Sequence, residues 1–196
     1  MADVYKFSVR LKNLEEIIWR ELEITSVSSV AKLGYTVIAA FEATASHLFC
    51  IGYNGERYEI EFEDMGFKEP AIDPIKAKLS ALKLMVGDIL KMRYDYGAGW
   101  EFSIELISII EMKRGTGTHY PYVTDGKGKG IIENVFSHEL LEIIEQINST
   151  GNIPKVYDAF KGKEVEWDYR EFDIGYLNIF LKDYVARIRE AYEMFE

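Results

Sequence analysis

The chain is poor in the residues that usually build a chemical site. Among 196 residues there is one cysteine (Cys50), three histidines (His47, His119 and His138) and four prolines. A single cysteine excludes an internal disulfide framework and an all-cysteine metal site. No two histidines lie three or four apart, so the spacing of a helical zinc or iron site is missing, and no metal or cofactor is expected. No apolar run approaches the roughly 20 residues that span a bilayer. Met1 to Arg10 alternates polar and apolar residues and has no apolar signal core, so no membrane association and a reduced, cytoplasmic location are expected. Basic residues are also scarce: 23 Lys and Arg against 33 Asp and Glu give a formal charge of −10. That balance argues against direct binding to a nucleic-acid backbone, which needs clustered cations. Nucleotide-binding glycine fingerprints and a glycine-flanked serine elbow are absent as well.

What is present is a globular composition, 48% apolar and 14% aromatic, enough to fill one core in a single domain over residues 1–196. Tyr5, Phe7, Val9 and Leu11 alternate with polar residues and predict a strand. Ile18 to Ile24 predicts a second, with Trp19, Glu21 and Glu23 on one face and Leu22 and Ile24 on the other. Ser28 or Ser29 can cap a helix whose stripe is Val30, Leu33, Val37 and Phe41. His47 to Tyr53 and Glu56 to Glu63 flank Asn54-Gly55, a hairpin signal. Asp64 to Pro74 reads as loop, and Ile75 to Leu84 as a short helix. Ile89 to Tyr96 and Trp100 to Leu106 flank Gly97-Ala98-Gly99 in the clearest hairpin, with the alternation slipping near Ile107. Phe136 to Ile147 and Leu177 to Phe195 carry helical stripes, the latter capped by Asp173, and Val156 to Phe160 reads as one more helical turn. The expected fold is therefore α+β: a mainly antiparallel sheet of about six strands built from hairpins, one early helix, and a helical C-terminal part.

Charge is uneven. Residues 1–98 carry 12 basic and 15 acidic groups, net −3, and residues 99–196 carry 11 and 18, net −7. Lys113 to Gly130 opposes the trend at net +3, with five glycines, and reads as a flexible loop between the sheet and the helical tail. Cys50 sits in an apolar strand, where a buried, inert thiol is the ordinary case. Tyr94-Asp95-Tyr96-Gly97-Ala98-Gly99-Trp100 stands out as a site candidate: three aromatic rings and one carboxylate surround a glycine turn.

Several of these pieces occur together in one known family. Tyr5 to Leu11 with Ile18-Trp19-Arg20 is similar to its opening strand and apolar-Trp-Arg signature. Ser46-His47-Leu48 resembles its Ser-His-Leu step. Tyr94-Asp95-Tyr96-Gly97 with Trp100 resembles its Tyr-Asp-Phe-Gly-Asp-x-Trp hairpin. Tyr120-Pro121, the Gly126 loop and Glu133 resemble its Tyr-Pro, Gly and Pro-Glu-Asp segment. The chain thus resembles, over about residues 4 to 190, the plasmid Ri ORF-3-like (pRiA4b) family, whose members also go by the label of insertion-sequence passenger proteins or resolvases. The resemblance implies a prokaryotic α+β domain associated with mobile elements, and no reaction. The resolvase label has no support in the residues, since the tail is acidic where a recombinase carries a basic DNA-binding arm. Ala98 stands where the family has its second hairpin acid, Ile51 where it has an aromatic residue, and Ile131 and Ile132 where it has prolines. A function that depends on the second acid is then absent from this chain.

Three readings follow. The first is a binding module of unknown ligand, its groove formed by Trp19, Arg20, His47, Tyr94, Asp95, Gly97, Trp100 and Tyr120, with Arg20 pairing Asp95. The second is an enzyme acting on nucleic acid or a nucleotide, with His47 as acid or base and Asp95 as its orienter. The third is an acidic partner of a basic protein. Neither the ligand nor the oligomeric state is legible.

Overall fold

A computed structural model describes residues 2–60, 70–158 and 162–194. The first hairpin is β1 (Asp3–Leu11) against β2 (Trp19–Thr25), followed by α1 (Val30–Ala40). Next come β3 (Phe49–Tyr53), β4 (Glu56–Glu59), β5 (Ile89–Tyr94) and β6 (Trp100–Glu111). The chain then adds β7 (Tyr122–Lys127), α2 (Ser137–Thr150), β8 (Lys155–Asp158), β9 (Lys163–Glu166) and α3 (Ile174–Glu193). Seven strands form one antiparallel sheet in the order β4-β3-β5-β6-β1-β2-β7, and β8 pairs only with β9. The α+β class, the early helix and the C-terminal helix are as the sequence predicts.

Local chemistry accounts for these elements. Asn54 and Gly55 take positive φ of 51° and 82°, the turn that joins β3 to β4. Ser29 caps α1 by accepting from the Lys32 N–H at 3.1 Å, and Asp173 caps α3 by accepting from the Tyr176 N–H at 2.9 Å. The slip in β6 is a bulge. Lys6 faces Ser108 and Phe7 faces Leu106, so Ile107 has no partner on β1.

Parity sorts the sheet into two faces. Phe7, Val9, Leu22, Ile24, Leu90, Met92 and Ile104 lie on the buried face. Ten of the eleven residues of α1 are buried, so α1 is an inner helix rather than an amphipathic cover. Its Tyr35 ring packs edge-on to Phe49 of β3 and stacks on Tyr192 of α3 at 5.5 Å, and Phe49 and Tyr192 also touch, so the three rings form one cluster. The stripe Leu177, Leu181, Val185, Ile188 and Tyr192 closes that layer. The opposite sheet face is polar and carries pairs such as Lys6–Glu21 at 2.6 Å.

Four expectations are corrected. Tyr122–Lys127, inside the supposed loop Lys113 to Gly130, is the edge strand β7; only Val123 in it is buried, so it has almost no alternation to read. Val156 begins no helical turn, because Lys155–Asp158 pairs with Lys163–Glu166, while 159–160 lie outside the described residues. The expected helix Ile75 to Leu84 is one 3₁₀ turn, Leu79–Leu82, ended by Lys83 in the left-handed region. Cys50 is half-buried on the polar face, since Phe49 and Ile51 take the inward positions. Residues 61–63 of the expected fourth strand, 64–69 of the loop and Phe195 lie outside the described residues.

Candidate functional site

Antiparallel pairing brings the C-terminal ends of β5 and β7 and the N-terminal ends of β2, β3 and β6 to one end of the sheet. The β5–β6 turn is built by Asp95, which takes a positive φ of 51°. Its Oδ1 accepts the N–H groups of Gly97 and Ala98, both at 3.1 Å, and its carbonyl accepts from Gly99 at 2.7 Å. One carboxylate oxygen is thereby consumed by the turn. The other, Oδ2, lies 3.3 Å from Nε2 of His47.

His47 comes from the connection between α1 and β3. The Tyr192 hydroxyl of α3 donates to its carbonyl, and its ring stands edge-on to Tyr94 at 5.9 Å. A third residue arrives from beyond β7. Glu133 Oε1 accepts from the Thr44 N–H at 2.6 Å, the Thr44 hydroxyl at 3.0 Å and the Tyr94 hydroxyl at 2.9 Å. Its Oε2 faces His47 Nε2 at 3.7 Å. Two carboxylates thus each spend one oxygen on fixed donors and turn the other toward one imidazole. Their side chains are 10% exposed and that of His47 is 32% exposed, so the imidazole is the part of the cluster that meets solvent. Burial and the Glu133 carboxylate push the Tyr94 phenol well above the usual range, which keeps it a donor.

This arrangement has a defined chemical consequence. A neutral His47 donating from Nε2 to Asp95 is locked with its lone pair on Nδ1. Among the described residues no protein group bonds Nδ1, so while the imidazole is neutral the site presents an acceptor whose Nε2 side is backed by two carboxylates. No three or more His, Cys, Asp or Glu side chains among the described residues are arranged to hold a metal ion.

The structure gathers His47, Tyr94, Asp95, Gly97 and Trp100 at the β5–β6 turn, and three other candidates lie outside that cluster. Trp19 points to the polar face, where the Arg10 guanidinium lies 5.8 Å from its ring. Arg20 does not pair with Asp95, because β1 and β6 separate β2 from β5. Its guanidinium instead donates to the carbonyls of Ala40, Trp19 and Lys127. Tyr120 precedes β7 at the opposite end of the sheet, against His119. Trp100 faces Tyr94 across the hairpin with 1% exposure, a wall of the core beneath the site. Glu133, absent from the candidates, is carried by no local pattern; only its place in the family-like segment marks it.

A cleft of about 600 Å³ has walls that include Glu42, Lys129, Phe172, Tyr176 and Tyr184. A recess of about 60 Å³ shares Glu42 and Lys129 with it and ends on Thr44, Glu133 and Trp167. Of the two cavities, it is the small recess that reaches Glu133, the carboxylate whose other oxygen faces His47.

The model of the plasmid pRiA4b ORF-3-like proteins matches residues 3–178. The chain belongs to the plasmid pRiA4b ORF-3-like family. Within the wider set of relatives, an uncharacterized protein, y4hQ of Sinorhizobium fredii (strain NBRC 101917 / NGR234), is 29% identical over 136 residues, 65% of this chain and 64% of that protein. The chain thus matches less than two thirds of that relative's length. The crystal structure of a protein of unknown function, MM3350 of Methanosarcina mazei Go1, superposes with a TM-score of 0.71 at 20% identity, covering 89% of this chain and 97% of that one. This second likeness is one of fold. The family match carries the ORF-3-like assignment with it, and neither relative brings a reaction. Among the described residues of this ORF-3-like protein, no helix is long and apolar enough to cross a membrane.

Proposed function

We propose that the protein is a binding module for a small polar ligand, received by the His47 imidazole and oriented by Asp95 and Glu133. The observation that carries this reading is the convergence of two anchored carboxylates on one partly exposed imidazole. Main-chain and hydroxyl donors hold both anions. Such preorganisation is unnecessary for a cluster that only ties a turn, since the turn uses one oxygen of Asp95 alone. The small recess on the Thr44 and Glu133 side gives part of the ligand a place.

Asp95→Asn is the discriminating change. The amide oxygen can keep the Gly97 and Ala98 bonds, so stability should stay within about 1 kcal/mol of the parent. The amide NH₂ then faces Nε2, which must become the acceptor, and the proton moves to Nδ1. Two-bond ¹H–¹⁵N spectra of the neutral imidazole should show His47 switching tautomer. Polar fragments that the parent binds, detected by ligand-observed NMR, should weaken more than about tenfold in this variant and in His47→Ala. If both variants keep every fragment at parental affinity, the cluster is architectural.

A second reading, proton-transfer catalysis at the same centre, is favoured by the 3.3 Å approach of Asp95 to His47, at the long edge of the hydrogen-bond reach of an acid–base pair.

A further inference from the structure

The polar face of the sheet carries a separate feature near its β4 edge. Pairing registers set Arg57, Gly52 and Lys91 in one cross-strand row, and Glu59, Cys50 and Arg93 in the next. Together with Tyr96 the three cations, Gly52 and Cys50 line a groove of about 500 Å³. Arg57 is held by Glu59, which also accepts from the Tyr96 hydroxyl. Lys91 and Arg93 remain exposed and uncommitted to any carboxylate among the described residues. The residue opposite Lys91 on β6 is Ser103. Glu101, opposite Arg93, is itself taken by Lys12 at 2.7 Å. Counting Arg57, Lys91, Arg93 and Glu59, the groove is net +2 on a chain of net −10.

Gly52 forms the floor, and the fold does not require glycine there. Its φ is not positive, and a Cβ built on it would meet nothing nearer than the carbonyl oxygens of Lys91 at 3.8 Å and Glu56 at 3.9 Å. Alanine would fit and would favour the strand. A strand glycine without a steric reason marks a place where something else comes close to the backbone. We infer that this groove binds the phosphate group of a small phosphorylated molecule, seated over Gly52 between Lys91, Arg93 and Arg57. The cations supply charge-assisted bonds to the phosphate oxygens. The volume exceeds that of a bare ion and suits an ester. The −10 charge is no obstacle at physiological salt, because acids farther away than the roughly 8 Å screening length act weakly.

The test is calorimetric titration of the full chain with inorganic phosphate, adenosine monophosphate and a single-stranded oligonucleotide at about 0.15 M salt. The expected result is binding of the monophosphate, with inorganic phosphate competing. Lys91→Ala and Arg93→Ala should each weaken it by about tenfold or more, at an unchanged melting temperature because both side chains are exposed. Gly52→Val should abolish it by filling the floor. Should the valine variant fail to fold, the Lys91 and Arg93 variants decide alone. Absence of monophosphate binding, binding of the oligonucleotide alone, or binding that the Lys91 and Arg93 variants leave unchanged would overturn the assignment.

Discussion

Arg20→Ala is expected to remove about 4 kcal/mol of unfolding free energy, measured by urea denaturation. Arg20 has 0% exposure, in the company of Phe7 and Leu22 rather than of the surface. Its Nε donates to the Ala40 carbonyl at 3.0 Å, and one terminal nitrogen donates to the carbonyls of Trp19 and Lys127, both at 2.8 Å. One side chain therefore fastens the end of α1 to β2 and β7. Its guanidinium lies 4.1 Å from the Phe172 ring and 5.0 Å from that of Phe41. Truncation opens a cavity between two rings and strips three main-chain carbonyls of their donor, each a desolvated acceptor that costs about 1–3 kcal/mol when orphaned, though not additively.

The residue also carries a penalty. Burial pushes its guanidinium down to about 10, against the opposing pull of the Glu42 carboxylate, and its second terminal nitrogen has no hydrogen-bond partner among the described residues. Arg20→Met removes that buried charge and keeps most of the volume, so it should cost about half as much as alanine. Equal losses for the two variants would mean that the carbonyl bonds, and not the packing, carry the contribution. An alanine variant within about 1 kcal/mol of the parent would show that the three carbonyls find water instead.

The burial of Arg20 is legible in the alternation of its strand. With Trp19, Glu21 and Glu23 on one face, parity puts Arg20 on the apolar face with Leu22 and Ile24. Its partners are not legible, because they are main-chain atoms of α1 and β7, and carbonyls leave no mark in a sequence. The same limit explains the site. Asp95 and His47 are visible because a hairpin turn and a sparse residue type draw the eye. Glu133 is one of 33 acidic residues, and its role depends on where a segment with no periodicity comes to rest. Six strands announce themselves by alternation or by an Asn-Gly turn. The seventh strand of the sheet hides because one buried side chain, Val123, is all it offers to a pattern, and Gly126 interrupts it. In that glycine-rich stretch composition suggests flexibility, and close packing is what Gly126, Gly128 and Gly130 provide.

Gly130→Ala tests that last point, with an expected loss on the order of 3 kcal/mol. A Cβ at Gly130 would overlap the carbonyl group of Phe41, far inside any real contact. The obstacle is backbone at the end of α1, which cannot rotate away as a side chain would. The closeness has a use: the next N–H, of Ile131, donates to that Phe41 carbonyl at 3.0 Å and so satisfies a terminal acceptor of the helix. Forcing the segment off α1 breaks this bond and carries Glu133, three residues on, away from Thr44 and His47. The variant should therefore lose stability and also the fragment binding assigned to the His47 cluster. Gly52→Ala is the matched control, since a Cβ there meets only ordinary contacts, and it should gain about 0.5 kcal/mol. Opposite signs at the two positions would separate a glycine required by packing from one the fold can spare. A Gly130 variant as stable as the parent would mean that the Gly128–Ile132 segment yields without strain, and that the position of Glu133 is not set by its contact with α1.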